Sequence, residues 1–290
     1  MEEFEKALKL QPDMSSIRFD YANLLADKQR YDDAINQYKE YLNIHTNNSI
    51  AFLNLGIIYE KLGDYNSAIE MLEKGRVVAP KDLEIQKELA KSYHLIKQYD
   101  KAISFYDNLI ANDPDNPELL LNKGIAFHAQ KKYVEAIDLY KLAIERDKYN
   151  ETIKDYLLKA YMSQGDSYFE DGSYRKAVTS YENALSMDKE NPLIYINIAN
   201  SYDKLGSKSK SVEYYEKAME IAPENGDVLS SYAQTLTKND KPEEAQSVYE
   251  KAIAVNNPDD DEKFNYYSSL GDTYYKNKNY NAALIEYKKA

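Results

Sequence analysis

Residues 48–80 read NSIAFLNLGIIYEKLGDYNSAIEMLEKGRVVAP, and this stretch decides the fold. Apolar residues recur three and four positions apart in both of its halves, which is the spacing of one face of an α-helix. The recurring residues are Ala51, Phe52, Leu55, Gly56 and Tyr59, then Tyr65, Ala68, Ile69, Leu72 and Gly75. Gly63 and Asp64 interrupt the pattern, and Pro80 ends it. The stretch therefore predicts a first helix (helix A), a tight turn and a second helix (helix B).

The same pattern returns along the whole chain. Its marker is a small residue in helix B, which most copies follow with an aromatic residue four positions later. The markers are Ala34, Ala68, Ala102, Ala136, Ala177, Ser211, Ala245 and Ala283, at successive separations of 34, 34, 34, 41, 34, 34 and 38 residues. A period of this length is typical of stacked units that bury their apolar faces against one another. We therefore expect an all-α protein, an α-solenoid of antiparallel helix pairs with about eight repeats, which start near residues 15, 49, 83, 117, 158, 192, 226 and 264.

Composition argues against several classes of function. Apolar residues make up 43% of the chain and charged residues 30%, which suits long solvated helices. Cysteine is absent, which excludes thiolate chemistry, and the three histidines are too scattered to favour a metal site. The net charge of −12 argues against nucleic acid and anionic membranes, and no apolar run is long enough for membrane insertion. No residues combine as nucleophile, base and oxyanion site, so we predict no catalytic residue, no cofactor and no metal.

Paired small and large residues in helix A resemble the tetratricopeptide repeat (TPR) family. The matching sets are Leu55, Gly56 and Tyr59; Leu89, Ala90 and Tyr93; Ile198, Ala199 and Tyr202; and Leu270, Gly271 and Tyr274. Several repeats close with a proline, as the family does, at Pro80, Pro114 and Pro223. The resemblance covers essentially the whole chain. It implies a right-handed superhelix in which the helices A line a concave groove, where peptides bind in extended or helical form.

Most of the 29 tyrosines are explained by packing. Many occupy the aromatic positions of helix A and helix B, and a further set recurs three residues before the helix B marker. That set is Tyr31, Tyr65, Tyr99, Tyr133, Tyr174 and Tyr280. We therefore interpret the tyrosines as packing residues and not as a stacking platform for nucleic acid bases.

The period breaks in two places. Seven additional residues precede the fifth repeat, and the helical spacing over 151–170 predicts a lengthened helix A that projects by about 10 Å. This elongation is either neutral, or a ledge for a partner or a flexible point. Before the last repeat, Asn257-Pro258-Asp259-Asp260-Asp261 predicts a helix start, as do the Asn-Pro pairs at Asn116 and Asn191.

Both ends of the chain fall inside a repeat. Residues 1–12 predict most of a helix B without its helix A, and Ala290 falls within the last helix B. Solenoids normally carry polar capping elements at their ends. We therefore interpret the chain as a fragment of a longer array or multidomain protein, whose exposed repeat ends offer surfaces for self-association.

The resemblance also implies which residues face the groove. The predicted partner-binding residues are Phe19, Asn23, Leu53, Asn54, Ile57, Lys87, Lys91, Leu121, Asn122, Ile125, Lys159, Met162, Phe169, Ile196, Asn197 and Asn200. We expect two exposed apolar patches on the groove face, because contiguous apolar patches usually mark interaction sites. One consists of Phe19, Leu53 and Ile57, and the other of Leu121, Ile125, Met162, Phe169, Leu193 and Ile196. Self-association through these residues, or packing of the superhelix against itself, stays an alternative.

Two recognition patterns of the family match this chain only in part. A clamp for the C-terminal carboxylates of heat-shock chaperones would use Lys87, Asn122 and Lys159. Lys91 and Ser163 stand where the clamp has an asparagine and its arginine, and the arginine is the best bidentate donor to a carboxylate. This favours a looser site for anionic peptides around Lys87, Lys91 and Lys159.

The second pattern is a ladder of asparagines that holds the backbone of a peptide. Asn54, Asn122 and Asn197 match it, but other repeats break it, so it supports only generic backbone recognition. His94 and His128 occupy the same groove position in adjacent repeats and lack a third metal ligand, which favours hydrogen-bonded or surface histidines.

The sequence thus predicts a non-enzymatic scaffold that binds a peptide segment of a partner protein in its groove, without nucleic acid and without membrane insertion. Two alternatives stay open. One is a structural scaffold that assembles with its own copies, and the other is the regulatory arm of an enzyme whose catalytic domain lies outside this sequence.

Overall fold

The computed structural model describes residues 1–11, 14–256 and 260–290. Over these residues the chain forms seventeen α-helices and no strand. It divides into two compact units, Met1–Lys154 and Asp155–Ala290, and the division falls inside the tenth helix. Pro12 and the predicted helix start at 257–259 lie outside the described residues.

The first unit contains a short helix and four helix pairs. Its helices are α1 (Glu2–Leu10), α2 (Ser15–Asp27), α3 (Tyr31–Ile44), α4 (Ser49–Lys61), α5 (Tyr65–Val78), α6 (Leu83–Leu95), α7 (Tyr99–Asn112), α8 (Pro117–Ala129) and α9 (Tyr133–Arg146). The even-numbered helices from α2 onward are helices A, and each packs on the helix B that follows it and on the helix B that precedes it. The all-α stack of helix pairs predicted from the period is confirmed.

The second unit repeats this arrangement. Its helices are α10 (Glu151–Glu170), whose first residues belong to the first unit, α11 (Tyr174–Met187), α12 (Pro192–Lys204), α13 (Lys208–Ile221), α14 (Gly226–Lys238), α15 (Pro242–Asn256), α16 (Asp260–Lys276) and α17 (Tyr280–Lys289). α10 has 20 residues, whereas α8 and α12 have 13, so the seven additional residues extend helix A at its N-terminal end.

Asparagine and aspartate side chains start several of the helices A. The Asn48 side chain accepts a hydrogen bond from the backbone N–H of Ala51 at 3.0 Å. Asn116 accepts one from Glu118 and Asn191 accepts one from Leu193, each at 3.1 Å. These bonds satisfy N–H groups that have no partner inside the helix. The helix starts predicted at Asn116 and Asn191 are confirmed.

Each turn from helix A to helix B contains one residue in the left-handed region of backbone conformation. These residues are Gln29, Gly63, Lys97, Lys131, Gly172, Gly206, Asp240 and Lys278, with φ between 58° and 76°. In the second repeat the N–H of Gly63 bonds the carbonyl of Glu60, and the N–H of Asp64 bonds the carbonyl of Tyr59. This pair of bonds is the Schellman motif, which ends helix A and reverses the chain within a few residues.

Small residues of helix A lie beneath large residues of helix B. A Cβ atom added to Gly165 would lie 2.4 Å from Cε1 of Tyr181, and one added to Gly124 would lie 2.5 Å from Cε1 of Tyr140. The two helices of a pair therefore approach so closely that only a small residue fits. This packing is the physical reason for the small and large residues that alternate in every copy of the pattern.

Candidate functional site

A cavity of about 440 Å³ lies between the first two helices A, α2 and α4. Three predicted groove residues, Asn23, Asn54 and Ile57, line it, and Tyr38 of α3 contributes to its wall. The structure therefore brings these three residues together at one place.

A hydrogen-bond network fixes the two asparagines of this cavity. Nδ2 of Asn54 donates to Oδ1 of Asn23 at 3.0 Å and lies 3.2 Å from the hydroxyl oxygen of Tyr38. The Tyr38 hydroxyl in turn donates to Oδ1 of Asn23. Because Oδ1 of Asn23 is already engaged, Nδ2 of Asn23 and Oδ1 of Asn54 are the groups left for a ligand, one donor and one acceptor.

A second cavity, of about 300 Å³, occupies the equivalent place between α6 and α8. Lys87 and Lys91 of α6 and Asn122 and Ile125 of α8 line it, and Tyr106 of α7 forms its floor. Four predicted groove residues thus surround one opening. Tyr106 takes the place that Tyr38 has in the first cavity, since both follow the marker alanine of their helix B by four residues.

Carboxylates neutralise the charge of Lys91 beside the second cavity. Its ammonium nitrogen lies 2.6 Å from Oε2 of Glu60 and 3.0 Å from Oε2 of Glu88. The Glu60 side chain is only 3% exposed and also accepts a hydrogen bond from Ser92. Burial raises the pKa of the Glu60 carboxyl, while Lys91 and Ser92 act in the opposite direction. Lys91 therefore stabilises the contact of α4 with α6 and contributes little positive charge to the cavity.

Two of the three lysines in the expected anionic-peptide site, Lys91 and Lys159, are paired with carboxylates, whereas Lys87 forms no ion pair among the described residues. Glu118 also lines the second cavity, and Lys91 is paired. Lys159 pairs with Asp155 of its own helix at 2.6 Å. The sequence could not show the pairing of Lys91 with Glu60, because these two residues are 31 positions apart.

Three further predicted groove residues of the first unit pack partly against the interior of the protein. Phe19 lies with its ring 5.9 Å from that of Tyr38 and 5.1 Å from that of Tyr41. Leu53 packs against the hydrophobic core around α6, and Leu121 is half-buried on α8. The exposed apolar patch expected around Phe19, Leu53 and Ile57 is therefore narrower than the sequence suggested.

In the second unit, the predicted residues take different roles. Lys159, paired as described, is exposed on α10, and Met162 on the same helix is half-buried. Phe169 lies against Tyr174, with ring centroids 5.3 Å apart. Ile196 is buried, 9% exposed, in a core that contains Tyr215 and Val228, so its assignment to an exposed patch is corrected. Asn197 is half-buried on α12.

Asn200 belongs to a structural pattern that the sequence analysis missed. The helix B tyrosine hydroxyl bonds the side-chain oxygen of a residue fifteen positions earlier, on helix A of the same repeat. The pairs are Asn23 with Tyr38, Asp166 with Tyr181, Asn200 with Tyr215, and Asp272 with Tyr287. The constant separation was the signal that could have revealed it. The side-chain oxygens of Asn23 and Asn200 therefore already accept hydrogen bonds from tyrosine hydroxyls of the protein.

His94 and His128 pack against the first tyrosine of the following helix. The ring of His94 lies 5.4 Å from that of Tyr99, and the ring of His128 lies 5.3 Å from that of Tyr133. Burial lowers the pKa of both imidazoles, so both are neutral at physiological pH. They help to hold helix A and helix B together at the turn.

Within the described ranges, no three histidine, cysteine or acidic side chains are grouped so that they could hold a metal ion. No helix in the same part of the chain has the length and apolarity that crossing a membrane requires.

The fold and these surfaces define a helical-repeat protein of the kind that mediates protein interactions. Sequence models described as "Tetratricopeptide repeat" match residues 25–121, 98–151, 193–225, 214–247 and 233–290, and one described as "TPR repeat" matches 165–206. The chain belongs to the tetratricopeptide repeat family. Members of this family are generally non-catalytic scaffolds that bind protein partners, and the coarse prediction of an interaction scaffold is confirmed.

The chain is also similar to two curated proteins of Arabidopsis thaliana. Anaphase-promoting complex subunit 6 is 23% identical over 38% of this chain and 20% of its own length. Cell division cycle protein 27 homolog A is 31% identical over 33% of this chain and 13% of its own length. The matched segments thus span a fifth or less of these relatives.

Among solved structures, the C-terminal part of a TPR repeat-containing protein from Cytophaga hutchinsonii has the same fold. It is 19% identical, with a TM-score of 0.56, and the match covers 84% of this chain and 97% of that one. At this identity the likeness concerns the fold alone.

Proposed function

We propose that the surface formed by the helices A of the first unit binds a peptide segment of a partner protein. The observation that carries the proposal is the pair of equivalent cavities, between α2 and α4 and between α6 and α8. Each is lined by asparagine and isoleucine side chains and has a helix B tyrosine in its wall or floor. Their volumes, about 440 and 300 Å³, are in the range of ligand-binding pockets in proteins.

The α2/α4 cavity is suited to the backbone of a peptide. Nδ2 of Asn23 can donate to a peptide carbonyl, and Oδ1 of Asn54 can accept from a peptide N–H. The network with Tyr38 holds both side chains before the ligand arrives, which lowers the entropic cost of binding. Recognition of this kind is independent of the peptide sequence.

The α6/α8 cavity is suited to an apolar side chain of the same or another peptide. Ile125 and Leu119 provide apolar surface, and Tyr106 closes the floor. Glu60 and Glu88 neutralise Lys91, and the two other charged lining residues, Lys87 and Glu118, carry opposite charges. We therefore expect a leucine-like or isoleucine-like side chain here, in place of the acidic one that the sequence favoured.

The curated relatives support an interaction role without identifying a partner. One of them is by name a subunit of a complex, and tetratricopeptide repeats extend along most of this chain. A short array of such repeats inside larger proteins is consistent with a binding module.

The test is selection of peptides on the chain from a random peptide library, followed by affinity measurements on variants. Ile57→Asp and Ile125→Asp each place a charge in one cavity, and we expect each to weaken its peptides at least tenfold, about 1.4 kcal/mol. Val77→Asp is the matched control, because Val77 is 77% exposed on α5 and lines neither cavity. If both cavity variants bound every selected peptide as tightly as the control, the proposal would fail.

A second candidate, self-association, is favoured by one observation on α17. Leu284 is 54% exposed, whereas the residues at the equivalent position of α9 and α11, Ile137 and Val178, are 4% and 6% exposed. An apolar side chain at this position is normally covered by a stacked helix A. Sedimentation of the chain and of Leu284→Glu at several concentrations tests this candidate, and a strict monomer in both cases excludes it.

A further inference from the structure

A third cavity, of about 590 Å³, lies between two helices B, α3 and α5, on another side of α4. Its floor consists of the buried side chains Phe52 and Leu55 together with Met71. Lys39 stands at its rim, with its ammonium nitrogen 5.7 Å from the centre of the Tyr59 ring. None of the predicted groove residues lines it.

The next repeat fills the equivalent space with its own side chains. There the ring of Phe105 is stacked on that of Tyr93, 5.9 Å away and at 11° between planes. The hydroxyl of Tyr93 donates to Oε1 of Glu73 at 3.0 Å. Tyr93 is consequently buried, only 7% exposed.

Two substitutions at the repeat spacing open the space between α3 and α5. Tyr59 corresponds to Tyr93, but Met71 stands where the next repeat has Phe105, and Lys39 stands where it has Glu73. Methionine has no ring to stack on Tyr59, and a lysine ammonium cannot accept a hydrogen bond. In the described part of the chain, the Tyr59 hydroxyl consequently has no acceptor.

The charge at the rim favours an acidic ligand. Lys39 and Lys74 both line the cavity, and the one carboxylate among the lining residues, Glu70, is paired with Lys74 at 2.7 Å. Among the described residues, Lys39 is thus left without a carboxylate partner, although the net charge of the chain is −12. The cavity is thus a locally cationic, apolar-floored site on an acidic protein.

We propose that the α3/α5 cavity is a second peptide-binding site, which takes an aromatic side chain and an adjacent acidic side chain from a partner protein. The aromatic ring stacks on Tyr59 over Met71, as Phe105 does on Tyr93. The carboxylate accepts the hydrogen bond of the Tyr59 hydroxyl and pairs with Lys39, as Glu73 accepts from Tyr93. The partner thereby supplies what the next repeat supplies from its own sequence. This site is independent of the α2/α4 and α6/α8 cavities.

The methionine methyl groups provide a direct test, because the chain has six methionines and Met71 lies in the cavity. The probe is the dipeptide acetyl-Glu-Phe-amide, added to protein with ¹³C-labelled methionine methyls. We expect the Met71 signal to shift saturably with a Kd of about 1–10 mM, and the Met162 signal to stay in place. Acetyl-Gln-Phe-amide and acetyl-Glu-Ala-amide should bind several-fold more weakly, because each lacks one of the two groups.

Lys39→Glu gives the second arm, since it restores the glutamate of the next repeat and should close the site. We expect it to abolish the Met71 shift. Lys61→Glu makes the same change of charge at the rim of the α2/α4 cavity and should retain the shift. The proposal is overturned if Met71 does not respond to about 10 mM probe, if the neutral dipeptide binds equally well, or if Lys39→Glu binds like the unchanged chain. Weaker binding of the library-selected peptides to Ile57→Asp or Ile125→Asp tests only the proposal for the surface of the helices A.

Discussion

The hydroxyl of Tyr215 donates a hydrogen bond to Oδ1 of Asn200 at 2.6 Å, and fifteen residues separate the two. The bond joins helix B to helix A within one repeat. Tyr215 is 1% exposed, so its hydroxyl has exchanged water for partners inside the protein. The same bond recurs in three other repeats, which makes it part of how each helix pair is held together.

Removal of the hydroxyl in Tyr215→Phe should lower the free energy of unfolding by about 1–2 kcal/mol, because Asn200 then loses a partner inside the protein. Tyr106→Phe is the matched control. Tyr106 is buried at the same position of α7, but its hydroxyl borders the α6/α8 cavity. We expect a change of less than about 0.5 kcal/mol there. Urea unfolding followed by circular dichroism measures both, and equal losses would contradict the structural role of the pair.

The buried tyrosines should make the protein sensitive to alkali. Burial raises the pKa of Tyr106 and of Tyr215 to about 12, whereas an unfolded tyrosine ionises near about pH 10. Because the folded-state pKa is the higher one, folding favours the neutral hydroxyl. The contribution of each buried tyrosine to the free energy of unfolding is therefore fully present below about pH 10 and is lost as the pH rises toward about 12. Each residue should contribute a slope of roughly 1.4 kcal/mol per pH unit in that window.

Ionisation of the buried tyrosines and loss of helix content should therefore occur together above about pH 10. The measurement is a pH titration followed by ultraviolet absorbance and circular dichroism on the same samples. Complete ionisation of all tyrosines at unchanged helix content would show that the hydroxyls are not buried as described.

Replacement of a non-glycine residue by glycine should stabilise the chain at the left-handed turn positions. Lys97 has φ = 62° and Gly63 has φ = 76° at equivalent turns. A side chain costs roughly 1–2 kcal/mol in this conformation, and glycine loses roughly 0.5–1 kcal/mol of chain entropy. Lys97→Gly should therefore raise the free energy of unfolding by about 0.5–1 kcal/mol, and Gly63→Ala should lower it by a similar amount. Thermal unfolding of the two variants checks the opposite signs.

Gly165 should not tolerate even a methyl group. Its added Cβ would lie 2.4 Å from the ring of Tyr181, and that ring is held by the hydrogen bond of its hydroxyl to Asp166 at 2.7 Å. Gly165→Ala should cost about 1–3 kcal/mol of stability, despite the higher helix propensity of alanine. The control is Gly165→Ala combined with Tyr181→Ala, which removes the ring that the added methyl group would meet, so the pair should be no less stable than Tyr181→Ala alone. A stable single variant would show that the helices of this pair are not in such close contact.

The period and the small–large pattern were sufficient to predict the helix pairs, since both depend on spacing within one repeat. The helix starts at Asn116 and Asn191 were predictable for the same reason. The left-handed turns were visible only where the residue is glycine, because Lys97 and Lys131 carry no such signal in the sequence.

The candidate site was predictable in outline and not in its charges. The register placed Asn54 and Ile57 beside one cavity and Asn122 and Ile125 beside another. The pairing of Lys91 with Glu60 and the burial of Ile196 depend on contacts between repeats. Such contacts follow from how neighbouring units pack, which the pattern inside one repeat does not specify.

Photo-crosslinking tests the central claim most directly. A photoreactive amino acid is placed at Ile57, at Ile125 or at Val77, and each protein is mixed with a peptide selected on the unchanged chain. The account predicts that the peptide is captured from Ile57 or Ile125 and not from Val77, because only the first two positions line the cavities between helices A. Capture from Val77 with none from Ile57 or Ile125 would contradict it.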